Sequence, residues 1–103
     1  MHYAVYGQFQ IEKSAEFLQL LSDGTIANQK PDGKEIVASM QRATVDEAGI
    51  VRWSEVCYCP TPLEHERSTI YDRFFVELET TQIDAYQEFP GRPFMAYLEE
   101  QQS

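Results

Sequence analysis

The hydrophobic pattern divides the chain into alternating and helical stretches. His2 to Phe9 alternates, with Tyr3, Val5 and Phe9 on one side and Ala4 and Tyr6 on the other, the period-two mark of a strand. Gly7 interrupts it, which predicts a bulge or a close backbone approach. Ser14 caps a predicted helix over 15–22, with Phe17, Leu18, Leu20 and Leu21 as its buried stripe and Asp23-Gly24 as its stop. The loop from Thr25 to Gly33 carries the turn signature Pro31-Asp32-Gly33. Its length marks it as a mobile segment or part of a site.

The stretch from Lys34 to Pro60 predicts a long β-hairpin turning at Asp46-Glu47-Ala48-Gly49, where Gly49 supplies the left-handed end of a four-residue loop. In that register Val45 faces Ile50. One face carries Ile36, Ala38, Met40 and Arg42 against Trp53, Glu55, Cys57 and Cys59. The other carries Val37, Ser39, Gln41, Ala43 and Val45 against Ile50, Arg52, Ser54, Val56 and Tyr58. An antiparallel sheet with one wet side concentrates its charges there, yet both faces are mixed. That favours a second face covered by a partner subunit over one left partly solvated.

Pro60-Thr61-Pro62-Leu63-Glu64 opens the next helix, with Thr61 as N-cap, Pro62 at the first helical position and Glu64 closing a capping box. Leu63, Ile70 and Phe74 form its stripe. It stops near Arg73, where Phe74, Val76 and Leu78 begin to alternate with Phe75, Glu77 and Glu79 as a final strand; a shorter helix with the strand starting at Thr69 also fits. The tail from Gln82 turns at Pro90-Gly91, and Pro93 opens a short helix edged by Phe94, Tyr97 and Leu98. It either covers a sheet edge or reaches a neighbouring molecule.

The element order β-α-β-β-α-β predicts one ferredoxin-like α+β domain over 1–103. Its four-stranded antiparallel sheet would carry the helices on one face, with a C-terminal helical tail. This layout is similar to the dimeric α/β-barrel proteins, and Tyr3-Ala4-Val5-Tyr6-Gly7-Gln8 resembles the first strand of YCII-type members of that group. The resemblance lies in element order and implies the fold and a homodimer. No functional His-Asp pair of that group can be matched residue by residue, so no catalytic role comes with it.

Charge narrows the partners. Seventeen acidic side chains against eight basic ones leave a formal charge of −9, unsuited to nucleic-acid phosphates or an anionic membrane surface. There is no apolar run of the ~20 residues a spanning helix needs, and the opening lacks a basic region ahead of an apolar segment. The expected compartment is the cytoplasm.

Cys57 and Cys59 share one strand face as an i, i+2 pair. With no second cysteine pair, the expectation is two reduced thiols packed near the core, a redox or metal role being the alternative. His2 and His65 lie far apart without matching carboxylates, so no metal site and no cofactor are expected; for haem, only His65 is a candidate axial ligand. Arg52, Ser54, Gln41, Ser39 and Tyr58 share a predicted face and would suit a small organic anion. Arg52 would orient it, and Tyr58 or His65 would move a proton. Arg42 is expected to stack on Trp53 and pair with Glu55. Asp72 opposes its helix dipole, which hints at an arginine across an interface. No phosphate loop, G-x-S-x-G turn or H-E-x-x-H appears. The expected function is a small acidic accessory or binding protein, homodimeric, with a metabolite or protein partner. The alternative is an enzyme acting on a small organic acid or ring compound in a dimer-interface cavity.

Overall fold

The computed structural model describes residues 1–102 and shows an α+β protein with an open five-stranded antiparallel sheet. Strand β1 (His2–Phe9) is followed by a 3-10 turn (Ile11–Lys13) and helices α1 (Ser14–Ser22) and α2 (Gly33–Arg42). Strands β2 (Thr44–Val45) and β3 (Ile50–Val56) form a hairpin. Helix α3 spans residues 64–74, with α-helical ends at Glu64–Glu66 and Asp72–Phe74 around a π-helical turn at Arg67–Tyr71. Strand β4 (Phe75–Ile83), the two-residue β5 (Arg92–Pro93) and helix α4 (Phe94–Glu100) complete the chain. The strand order is β4-β1-β3-β2-β5.

The sheet thus has five strands, and the first arm of the predicted hairpin is a helix. Ile36, Ser39, Met40 and Ala43 are all buried, a spacing of three, four and seven that only a helix puts on one side. Lys, Glu, Ala, Met, Gln and Arg fill the stretch and all favour that state. Only Thr44 and Val45 remain to pair with β3, and Val45 sits opposite Val51, not Ile50. The loop is longer by one residue, and such a slip exchanges the faces. Val45 therefore joins Val51, Trp53 and Glu55 on the core side, where the predicted register set it with Ile50 and Arg52, while Arg52 and Ser54 keep the other face.

The core joins Tyr3, Val5 and Phe9 of β1 to Phe17 and Leu21, Ile36 and Met40, Phe74 and Phe75, and Phe94 and Leu98 from the helices and β4. Phe17 and Phe74 stack with centroids 4.3 Å apart. The helices contribute these residues to one face of the sheet. The segment after β4 crosses part of the other, where Ser54 Oγ donates to the Gln87 carbonyl and accepts from its N–H. The tail covers an edge: β5 pairs with β2, and the Phe94 N–H donates to the Ala43 carbonyl.

Gly7 faces a bulge. Tyr6 pairs with Glu79 but Gln8 with Val76, so two residues of β4 oppose Gly7, and Glu77 takes a φ of 55° there. A Cβ on Gly7 would meet Leu78 Cδ1 at 2.7 Å. The predicted capping box does not form. Leu63 is fully buried with a left-handed φ of 56°, and helix α3 begins at Glu64 with no side-chain cap. Drawing Leu63 into the core leaves Thr61 and Pro62 outside the helix, in a turn closed by the Glu64 N–H on the Thr61 carbonyl.

Candidate functional site

Where β2 stops, β3 has a free edge, and α2 satisfies it. Glu35 Oε2 accepts the Val56 N–H at 2.9 Å, and Arg42 Nη2 donates to the Ser54 carbonyl at 2.8 Å. The two side chains pair with each other at 3.2 Å. The guanidinium lies 4.3 Å from the ring centroid of Tyr86, whose hydroxyl donates to Glu35 Oε2. Burial, then that bond, raises the Tyr86 pKa. Arg42 is thus a structural residue, as its pairing suggested, but its aromatic and acidic partners are Tyr86 and Glu35 rather than Trp53 and Glu55.

This assembly forms one wall of a cleft of about 510 Å³, lined among others by Pro31, Asp32, Glu35, Tyr58, Glu66 and Tyr86. Cys57 and Cys59 lie in the same lining. Cys57 follows the last residue of β3 and is fixed there by its N–H donating to the Met1 carbonyl. Glu66 precedes the π turn and is 1% exposed. Its Oε1 lies 3.6 Å from Cys57 Sγ and 3.5 Å from Cys59 Sγ, and the Cys59 N–H donates to Cys57 Sγ at 3.2 Å. Burial pushes the Cys57 thiol up to about 12, with Cys59 adding to the shift and the backbone N–H groups of Cys59 and Leu63 opposing it. The thiols are free, as expected.

At the cleft margin Asp32 Oδ2 lies 2.6 Å from His65 Nδ1. The long loop ends at Asp32 and His65 lies in the first turn of α3, so the fold joins an acid and an imidazole 33 positions apart. Nothing in the spacing announces this pair.

The predicted anion group does not converge. Arg52 is on the hairpin and pairs with Asp46 at 2.9 Å. Ser54 is occupied by the Gln87 backbone. Gln41 and Ser39 belong to α2, not to a strand; Gln41 is exposed and Ser39 Oγ accepts from Arg42. Tyr58 is 88% exposed and alone of these five lines the cleft. Asp72 finds its arginine on its own helix, with Arg67 Nε at 3.5 Å. Sequence reasoning missed Glu66, Asp32 and Glu35 because their roles depend on where α2 and the π turn place them. No family model, curated protein or solved structure matches the chain.

Proposed function

We propose that this chain is a small acidic accessory protein that binds a ligand in the cleft between α2, the end of β3 and α3. The reading is carried by the lining: carboxylates and thiols meet in a concavity of about 510 Å³, a size suited to a small ligand. Among the described residues no arginine or lysine lines it, so the preferred ligand is cationic or electron-poor rather than an organic anion. A ferredoxin-like layout supports pairing with a second copy through the open sheet face, where Tyr6 and Val76 are exposed and large apolar groups gain from cover.

Native mass spectrometry of gently purified protein, set against the denatured mass, tests both halves. A dimer that releases a small mass on denaturation is the expected result. A bare monomer that takes up no cation or amine would remove both the ligand and the pairing from the reading.

A catalytic second reading rests on the His65–Asp32 pair, since an imidazole held by a carboxylate at a cleft margin is equipped for proton transfer. On this reading, the released ligand is converted when incubated with wild-type protein and stays intact with His65→Ala. Equal conversion by both would remove His65 from the chemistry.

A further inference from the structure

We propose that Cys57, Cys59 and Glu66 form a site for a thiophilic divalent cation of the zinc class, its fourth coordination position open to the cleft. The inference deepens the cleft reading and rests on it for the fourth ligand. The three ligating atoms lie within 4.8 Å of one another. Zinc bonds are about 2.3 Å to sulfur and about 2.1 Å to a carboxylate oxygen, so a tetrahedral ion sets sulfur–oxygen edges of about 3.6 Å. The two edges here are 3.6 Å and 3.5 Å. Both sulfur–oxygen edges match those that such an ion would set, and the two sulfurs lie within 4.8 Å of each other.

The surroundings carry the argument further. Among the described residues Glu66 meets no N–H donor and no cationic side chain; its partners are the two thiols. A carboxylate 1% exposed costs stability unless a positive charge or strong donors compensate it, and a bound dication supplies that charge. The Cys59 N–H directed at Cys57 Sγ is an outer-shell bond that favours a sulfur carrying negative charge. Two of the three ligands sit on anchored backbone: Cys57 is tied to Met1, and Glu66 lies in α3 immediately before its π turn. With three protein ligands and a cleft beside them, the arrangement corresponds to an open metal site rather than a closed structural one.

The test uses the full chain, kept reduced, titrated with Co2+ as an optical probe and then with Zn2+. The expected result is uptake of one Co2+ per chain, with a sulfur-to-cobalt charge-transfer band and the strong visible bands of tetrahedral cobalt, all erased by Zn2+. Cys59→Ser and Glu66→Gln should each weaken binding at least about tenfold, whereas Arg52→Ala should not change it. Cys59 is half-buried, so Cys59→Ser is the variant best placed to keep the fold, checked by circular dichroism. The absence of a charge-transfer band in folded protein whose two thiols both react once denatured would overturn the site. So would undiminished binding in both ligand variants. A small organic ligand retained in native mass spectrometry without cobalt uptake overturns the metal site alone. Cobalt uptake by protein that holds no organic ligand leaves the metal site standing and removes only the organic one.

Discussion

Glu55 shows how far a single side chain is governed by its surroundings. It is fully buried, and its Oε1 accepts from the Tyr71 hydroxyl at 2.5 Å and from Trp53 Nε1 at 2.9 Å, while Oε2 has no hydrogen-bond partner among the described residues. Burial raises its pKa from 4.5 to about 8, with Glu66 and Glu35 adding to the rise and the two hydrogen bonds opposing it. The folded value exceeds the unfolded one, so folding takes up a proton between them. The contribution is complete below 4.5 and is lost as pH rises through about 8. Glu55→Gln removes that titration. Its stability relative to wild type should rise across this window by a few kcal/mol at most, on the order set by linkage. Urea unfolding followed by the emission of Trp53, the chain's single tryptophan, would read it; a pH-independent difference would contradict the assignment. Gly33 makes a simpler case. A Cβ there would lie 2.0 Å from the Ile26 carbonyl oxygen, so Gly33→Ala should cost about 1–3 kcal/mol through forced backbone movement, visible in the same unfolding curves.

At the scale of elements, α2 completes the sheet that β2 leaves unfinished. Glu35→Ala would free the Val56 N–H, release Arg42 and strip the Tyr86 hydroxyl of its acceptor. A loss of about 1–3 kcal/mol follows from the unmade bonds, and hydrogen exchange should speed up at Val56 before it does at Val5. Equal acceleration at both would mean that the edge opens only with the whole fold. The same helix marks the limit of the sequence reading. Its apolar residues run 36, 37, 38 and 40, which satisfies both a period of two and a period of 3.6, and a turn at Gly49 lends weight to the hairpin. What decides is burial of Ser39 and Ala43, small residues that carry little hydrophobic signal. By contrast β1, α1 and α4 each have large apolar residues in one unambiguous phase, and these were legible; β4 was legible as a strand but not in its phase, because Phe74 ends α3 and the bulge at Glu77 puts Phe75 and Leu78 in the core while Val76 is exposed. The cleft was not legible, because it joins Asp32 and Glu35 at the start of α2, Cys57 just past β3 and Glu66 in α3, which are distant in sequence.

At the scale of the molecule, stability is concentrated in aromatic packing. Phe17 touches Phe9, Phe74, Phe75 and Phe94 within ring distances of 4.3 to 6.2 Å, so it bridges β1, α3, β4 and α4. Phe17→Ala should lower global stability by about 3–5 kcal/mol in a single cooperative transition; a separate early transition would show that α4 docks independently. Helix α3 carries the other molecule-wide constraint, in the π turn at Arg67–Tyr71. A π turn amounts to one residue more than the α-helix requires. Everything before it is therefore out of phase with everything after it by about 100°, the angle between successive residues. Removing one residue, Ser68 for instance, would give a more regular helix that still buries Tyr71 and Phe74 but swings Glu66 away from the two sulfurs. The chain can be shortened into a better helix only by dismantling its cleft, so a length change that looks harmless in this helix carries the largest consequence for what the protein can hold.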